Sequence, residues 1–226
     1  MPAPRSERLL TLLDERERAA LDSRARRTRF EAGSCLLQQG EPGDKVLVLL
    51  EGRAKISYVT REGRELVLRF CGPGELVGEL AVIDGGPRLS SVVALEPVEA
   101  LVLAATDFRA LLDAEPSLAW KLLGMLSRRF RDADLKRVEF GASDTVGRVA
   151  ARLVELADRY GEPAPEGTVI TLPLSQDELG AWTGASRAGV AAALRVLRDL
   201  EWIETRRRRI TVRDRDALAA RASVQN

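Results

Sequence analysis

Apolar residues recur at alternating three- and four-residue steps along residues 117–140, SLAWKLLGMLSRRFRDADLKRVEF. The segment follows Pro116 and contains no internal proline, so the pattern predicts one long helix over Ser117–Phe140. The helix carries one apolar stripe, interrupted by the polar Arg137, and a second apolar group to one side of it. The stripe consists of Leu123, Leu126, Phe130, Ala133 and Phe140, and the second group consists of Leu118, Leu122 and Met125.

A helix that packs on a single domain needs only one apolar face. The additional, coiled-coil-like stripe therefore predicts a partner helix, most simply the same helix of a second copy. A helix buried on all sides is the alternative interpretation.

The apolar pattern before the long helix changes its period near Phe30. Residues from Ser6 to about Arg27 follow an amphipathic helical pattern, in which Asp14 and Glu17 resemble a capping box that restarts the helix. Short apolar runs separated by glycine-bearing turns follow, at residues 35–37, 46–50, 54–59, 66–70, 91–95 and 99–104. Many short strands at such spacing predict a sandwich or barrel of the jelly-roll kind. A short helix is expected over residues 107–114.

The chain after the long helix has the pattern of a small helical domain. After the linker 141–143, Asp144 is expected to cap a helix that ends at Gly161. The sequence EPAPEG predicts a loop at residues 162–167, and TVITLPL predicts a strand at residues 168–174.

A second helical pair is predicted between residues 174 and 200. Ser175 and Glu178 form a capping-box pattern, Gly184 supplies a turn, and Ser186 is expected to cap the second helix. Two helices joined by a tight glycine turn are typical of helix-turn-helix DNA recognition, and an ordinary helical hairpin is the alternative. Two short strands around Arg206–Arg209 then predict a wing that contacts phosphates, or else a solvated arginine-rich turn.

Composition narrows the function. The 226 residues suffice for two domains. With 35 basic and 34 acidic residues the formal net charge is +1, so basic character must be local if it matters. The chain has no histidine, which removes the commonest general base and metal ligand. We therefore expect no catalytic residues, no metal site and no enzyme activity.

The two cysteines, Cys35 and Cys71, form no CxxC pair and lie in or beside apolar runs, so we expect buried strand thiols. An iron–sulfur cluster normally requires four thiolates. No apolar run approaches the roughly 20 residues that span a bilayer, and the N-terminal residues lack the apolar core of a signal peptide. We expect a soluble, cytoplasmic protein without membrane partners.

The segment around Gly78-Glu79-Leu80 and Arg88 carries candidate ligand chemistry. Glycine permits close approach of a ligand to the backbone, and a short helix that begins near Leu80 directs free N–H groups at an anion. A guanidinium such as that of Arg88 can bind a phosphate through two hydrogen bonds, and the carboxylate of Glu79 can accept hydrogen bonds from a sugar hydroxyl. An internal Glu79–Arg88 salt bridge is the alternative.

The order of these motifs is similar to that of a known family. GSCLLQQGEPGD at residues 33–44, followed by EG, GRE, GPGE, GELA and PR, resembles the cyclic-nucleotide-binding fold of the CRP/FNR family of bacterial transcription regulators. The likeness covers nearly the whole chain. It implies that Glu79 binds the ribose 2′-hydroxyl, that Arg88 binds the cyclic phosphate, and that Gly78 and Leu80 complete the cassette.

Three residues depart from the pattern of cyclic-AMP sensors in this family. Leu89 replaces a Ser or Thr, and Ser90 or Ser91 would substitute only after a backbone shift. Ala133 and Asp134 replace a Thr-Ser pair on the long helix. Each lost neutral hydrogen bond is worth about 0.5–1.5 kcal/mol, roughly one decade of affinity. The expected effector is cyclic AMP or another cyclic nucleotide, of different base or at low affinity.

The resemblance also assigns the nucleic-acid interface. Arg187 is expected to bind guanine O6 and N7, whereas Ala188 and Ala192 offer only apolar contact, which shifts the burden to Arg195 and the wing. The full predicted DNA-binding set is Ser175, Gln176, Ser186, Arg187, Ala188, Ala192, Arg195, Arg206, Arg207, Arg208 and Arg209.

The predicted architecture is α+β, with a cyclic-nucleotide-binding-type β jelly roll over 1–115, a dimerisation helix and hinge over 116–143, and a winged helix-turn-helix over 144–226. The predicted function is a homodimeric, ligand-responsive transcription regulator that binds double-stranded DNA and RNA polymerase. Ligand binding is expected to shift the long helix near residues 130–134, provided that the ligand prefers one arrangement. The alternatives are a cyclic-nucleotide-responsive module that binds a protein instead of DNA, and a regulator whose pocket does not bind cyclic AMP. The sequence leaves the effector, the operator, the target genes and the direction of regulation open.

Overall fold

The apolar strands and amphipathic helices of the chain pack into two compact units. The boundary between the units lies between Arg129 and Phe130. The computed structural model describes residues 8–206 and 209–222. The first unit contains α1 (Leu9–Leu12), α2 (Glu15–Asp22), β1 (Arg26–Phe30), β2 (Cys35–Leu37), β3 (Lys45–Glu51), β4 (Ala54–Val59), β5 (Glu65–Cys71), β6 (Leu76–Val77), α3 (Glu79–Asp84), β7 (Ser91–Ala94), β8 (Val98–Ala104) and α4 (Ala105–Ala114). Helix α5 (Pro116–Ala142) begins in this unit and ends in the second.

The second unit contains the rest of the elements. They are α6 (Thr145–Tyr160), β9 (Gly161–Ala164), β10 (Gly167–Ile170), α7 (Gln176–Thr183), α8 (Arg187–Asp199), β11 (Ile203–Arg206), β12 (Arg209–Val212) and α9 (Arg215–Ala222).

Two antiparallel four-stranded sheets form the jelly roll of the first unit, in the orders β1-β8-β3-β6 and β2-β7-β4-β5. Both faces of β3 are buried. Successive side chains along a strand point to opposite faces, so neighbouring residues of β3 join different core clusters. Leu47 and Leu49 join a core cluster to which both sheets contribute, whereas Val46 and Val48 join a second cluster with residues of α1, α2, α4 and α5. The jelly-roll prediction is confirmed.

The long-helix prediction is also confirmed, since α5 runs over Pro116–Ala142. The second apolar group of the helix, Leu118, Leu122 and Met125, is buried in the core cluster that Val46 and Val48 also join. This cluster is called the helical core below. Large apolar side chains remain exposed elsewhere on α5, namely Trp120, Leu123, Phe130, Leu135, Val138 and Phe140. Leu126 is only partly buried and packs against the helical core. The alternative of a helix buried on all sides is therefore wrong for the single chain.

Three local predictions need correction. The N-terminal helix ends at Asp22, and Arg26–Phe30 is a strand paired with β8, because its backbone completes the edge of a sheet that the sequence pattern does not reveal. Residues 161–164 of the predicted helix end and loop form β9, which pairs with β10. Cys71 is buried as expected, but Cys35 is exposed at the start of β2, where the pairing of β2 with β7 shifts its register between Cys35 and Leu37.

Helix α6 organises the second unit. Asp144 caps it as predicted, with its carboxylate accepting the N–H of Gly147 at 2.8 Å. The capping box of α7 and the Ser186 cap of α8 are also confirmed. A four-stranded antiparallel sheet, β11-β12-β10-β9, completes the unit.

Candidate functional site

The turn before β7 is held by the loop between β2 and β3. The N–H of Arg88 donates to the Glu41 carbonyl, and the Gly40 N–H donates to the Arg88 carbonyl, each at 2.8 Å. The same loop lies directly on α3, since a Cβ on Gly43 would come within 2.5 Å of the Ala81 backbone. The loop, the turn and α3 therefore form one packed arrangement.

The Arg88 side chain is buried inside this arrangement, with 3% of it exposed. Its Nη2 donates to Asp44 Oδ1 at 2.7 Å and to the Lys45 carbonyl at 2.9 Å, and its Nη1 donates to the Gly78 carbonyl at 3.4 Å. Burial alone would raise the pKa of Asp44, but the Arg88 hydrogen bond and the charges of Lys45 and Arg88 outweigh it and lower that pKa. The guanidinium is thus fixed in place by an anion and two carbonyl groups.

Glu79 is also buried but pairs with a different arginine. Arg129, on α5, donates from Nη1 to Glu79 Oε1 at 2.7 Å and from Nη2 to the Leu76 carbonyl at 3.0 Å. The predicted alternative, a Glu79–Arg88 salt bridge, is not what forms. Arg129 was missing from the predicted site, because nothing in an arginine-rich sequence distinguishes it from its neighbours on the helix.

The remaining cassette residues differ in exposure. Gly78 has φ +85°, and a Cβ there would come within 2.6 Å of Leu37 Cδ1 and 2.9 Å of Arg88 Nη1, so glycine is required by conformation and by space. Leu80 and Leu89 are exposed, and Ser90 is half-buried. Ser91 is buried, and its Oγ already accepts the N–H of Gln39 at 3.0 Å.

The predicted ligand residues on α5 lie beyond the unit boundary. Phe130, Ala133 and Asp134 are all exposed, and Asp134 forms an ion pair with Arg137 at 3.8 Å. The structure brings Gly78 and Arg88 together, with Glu79 next to Gly78 in the chain, and all of them belong to the first unit.

The helix-turn-helix has the predicted turn. Gly184 ends α7 with φ +67°, a left-handed conformation that glycine adopts at least cost. A Cβ at this position would come within 2.5 Å of Cε2 of Phe140, near the end of α5. The Arg148 guanidinium lies 4.8 Å from the centre of the same Phe140 ring and donates from Nε to the Thr183 carbonyl at 2.8 Å. The last turns of α5 therefore pack directly on the turn.

Helix α8 has one buried and one exposed face. The buried residues, at helical spacing, are Val190, Ala193, Leu194 and Leu197. The exposed residues include Arg187, Ala188, Ala192 and Arg195, together with Ser186 at the N-cap. Ser175 and Gln176 are exposed at the start of α7. The predicted interface residues are thus on the solvent side of these helices.

The predicted wing is a hairpin of β11 and β12, in which Arg206 pairs with Arg209. Arg206 donates from Nε to Glu204 at 2.6 Å, and Arg213 donates to the other oxygen of the same carboxylate at 2.7 Å. Arg207 and Arg208 lie outside the described residues. Two of the predicted wing arginines are therefore placed in the hairpin.

Neither a metal site nor a membrane span emerges from the described ranges. Across 8–206 and 209–222, His, Cys, Asp and Glu nowhere gather in a group of three that could bind a metal ion. In the same ranges every helix is too short or too polar to cross a bilayer.

Comparison with protein families identifies both units. Residues 27–115 match the cyclic nucleotide-binding domain, and residues 147–221 match the Crp-like helix-turn-helix domain. The chain is 32% identical over 204 residues to a CRP-like cAMP-activated global transcriptional regulator of Mycobacterium tuberculosis, which covers 90% of this chain and 91% of that protein.

Solved structures agree on the fold. A CRP/FNR-family transcriptional regulator from Thermus thermophilus superposes with a TM-score of 0.75 at 27% identity, over 88% of this chain and 100% of that one. The c-di-GMP responsive global regulator CLP of Xanthomonas campestris gives a TM-score of 0.78 at 22% identity, over 88% of this chain and 99% of that one.

These matches do not favour the alternative of a protein-binding module without DNA binding, because the C-terminal match is to a helix-turn-helix. The relatives are transcription regulators, not enzymes. The chain contains a cyclic-nucleotide-binding jelly roll, a long helix and a Crp-like helix-turn-helix in this order, and it has a relative of 32% identity over 90% of its length. The protein therefore belongs to the CRP/FNR family of transcription regulators.

Proposed function

We propose that this regulator is a homodimer whose DNA binding is controlled by a cyclic nucleotide bound at Gly78, Glu79, Leu80 and Arg88. The observation that carries the proposal is the buried, fixed guanidinium of Arg88 close to the left-handed Gly78. A buried cation in a glycine-bearing turn is suited to a phosphate, since charge-assisted hydrogen bonds strengthen when water is excluded. Cyclic AMP is the first candidate because the Mycobacterium tuberculosis relative is described as cAMP-activated.

Glu79 is the proposed ribose ligand and also the proposed relay to α5. Its carboxylate has one oxygen bound to Arg129 of the long helix. A ribose hydroxyl that donates to Glu79 would draw electron density from the carboxylate and so weaken its hydrogen bond with Arg129. Leu89, Ser90, Phe130, Ala133 and Asp134 are further proposed ligand residues, of which Leu89, Ala133 and Asp134 supply no hydroxyl.

The proposed domain division is a sensor over 1–115, a dimerisation helix and hinge over 116–143, and a DNA-binding domain over 144–226. The proposed DNA interface combines the starts of α7 and α8 with the wing. Its residues are Ser175, Gln176, Ser186, Arg187, Ala188, Ala192, Arg195, Arg206, Arg207, Arg208 and Arg209. We place the protein in the cytoplasm and in contact with RNA polymerase, since its bacterial relatives regulate transcription.

Calorimetry with cyclic AMP and cyclic GMP tests the effector. Heat that saturates with one nucleotide and is lost in Arg88→Ala supports the pocket, and no heat at millimolar concentrations of either removes the proposal.

Gel shifts in a salt series test DNA binding. Arg187→Ala should relax preference at one base of each half-site by about 1–3 kcal/mol. Equal losses on specific and random DNA would contradict the base-reading role.

A further inference from the structure

The arginine proposed to bind guanine is not alone at the start of α8. Arg187 Nη1 donates to Asp177 Oδ2 of α7 at 3.4 Å. Both side chains are exposed, 72% for Arg187 and 66% for Asp177. The ion pair therefore joins the first turns of the two helices of the helix-turn-helix on their solvent side.

The pair leaves part of the guanidinium available. Within the described residues, Nη2 and Nε of Arg187 donate to no protein group, so two N–H directions of the fork remain for a base edge. Ala188 and Ala192 contribute no polar atom beyond Cβ on the exposed face of α8. In this part of the interface, the carboxylate that restrains Arg187 comes from the neighbouring helix.

We propose that Asp177 is a positioning residue that makes Arg187 selective for guanine. This inference rests on the proposed base-reading role of Arg187. An unrestrained arginine loses rotamer freedom when it binds, whereas a guanidinium already held by a carboxylate loses less. Asp177 holds one edge of the guanidinium and leaves the other in the orientation that meets O6 and N7 of guanine.

Charge gives Asp177 a second effect on selectivity. A lone arginine at a DNA surface binds any phosphate, and such contacts raise affinity for all sequences. In the ion pair the carboxylate offsets part of the arginine charge, and the carboxylate is itself repelled by nearby phosphates. Asp177 therefore lowers affinity for random DNA more than affinity for a site in which Arg187 is bound to guanine.

The test uses the full-length protein and sites selected from randomised duplexes, with and without cyclic AMP. Asp177→Asn keeps the shape of the side chain and removes its charge. We expect this variant to select the same site with two- to fivefold weaker preference for the guanine, about the range of an exposed ion pair. Its affinity for scrambled DNA should rise, and the slope of log affinity against log salt should steepen by about 0.9, for one additional phosphate contact.

Asp216→Asn on α9 is the matched control, since it removes the same charge from a residue that is 98% exposed in the same unit. It should change neither the preference nor the slope. Asp177→Asn should add nothing to base preference in an Arg187→Ala background, because the aspartate acts through the arginine. Thermal unfolding of all variants should match that of the wild type.

Three outcomes would overturn the inference. If Asp177→Asn keeps the wild-type preference and slope while Arg187→Ala loses the guanine, Asp177 has no positioning role although the proposed function stands. If Asp177→Asn loses a different base, and does so also in the Arg187→Ala background, Asp177 itself contacts that base. If Arg187→Ala changes the base preference at no position of the selected site, the proposed base-reading role fails and this inference fails with it.

Discussion

Asp44 is the residue that determines how Arg88 is presented to a ligand. The carboxylate binds Nη2 of the buried guanidinium at 2.7 Å, and the Lys45 and Gly78 carbonyl groups hold it from other directions. A phosphate that binds Arg88 then meets a side chain with few alternative positions. Such preorganisation strengthens binding because less freedom is lost when the ligand arrives.

Replacement of Asp44 by alanine should therefore weaken cyclic-nucleotide binding by roughly three- to tenfold. It also leaves the buried Arg88 charge with one fewer partner, which should lower the free energy of unfolding by about 1–3 kcal/mol. Titration calorimetry and urea unfolding measure the two effects. Glu41→Ala, an exposed acid in the same loop, is the control and should change neither. Tighter nucleotide binding by Asp44→Ala would mean that Asp44 competes with the phosphate.

At the scale of elements, α6 depends on acids at both of its ends. The Gly147 N–H and the Arg221 guanidinium bind Asp144 at the N-cap and lower its pKa below the ordinary value of 3.8, although burial opposes them. Burial alone would raise the pKa of Asp158, but Arg215 binds this carboxylate and the net effect is a lower pKa. Both arginines belong to α9, so these acids join α9 to α6.

A lowered carboxyl pKa fixes the sign of the pH dependence. The stabilisation from Asp144 is fully present above its unfolded pKa, near 3.8, and is lost as pH falls through the lower folded value. Thermal unfolding monitored from pH 6 to pH 2.5 should show this loss below about pH 4. Asp144→Asn should flatten this part of the curve, since asparagine caps a helix without titrating. An unchanged curve would exclude Asp144 as a contributor.

Elements with strong local patterns were predictable from the sequence, and those that depend on distant partners were not. The caps of α6, α7 and α8 follow from Asp, Ser and Gly at fixed spacings. Strand β1 did not follow, because RRTRF has one apolar residue and becomes a strand by pairing with β8.

The candidate site divides in the same way. Glu79 and Arg88 were identified from their motif. Their ionic partners, Asp44 and Arg129, are 44 and 50 residues away in the chain. The contact of Phe140 with Gly184 is likewise absent from any local pattern, since it depends on how the end of α5 packs against α7.

At the scale of the whole molecule, the exposed apolar side chains of α5 are the strongest indication of self-association. Leu123 is 52% exposed and Phe130 is 69% exposed in the single chain. The spacing of seven residues places them on the same side of a helix, as in a coiled-coil seam. The same helix of a second copy would cover them.

A charge in this seam should dissociate the dimer. Leu123→Glu and Phe130→Glu each place a carboxylate against an apolar surface, and the expected loss is at least tenfold in dimerisation affinity. Sedimentation equilibrium measures the change. Leu68→Glu, at an exposed leucine of β5, should leave the association unchanged. A wild-type protein that stays a single protomer at every concentration, also with target DNA, would contradict the homodimer.

The contrast between the two cysteines makes the native chain suitable for spectroscopic labelling. Cys71 is enclosed in the jelly roll and Cys35 is exposed on β2, so a maleimide spin label should react at one position without any substitution. Partial burial and the charge of Glu41 raise the pKa of the Cys35 thiol, and mildly alkaline buffer would therefore speed the reaction. In a dimer of labelled protomers, electron–electron double resonance would measure the distance between the two Cys35 labels. Changes in this distance on addition of nucleotide or operator would report movement of one sensor relative to the other.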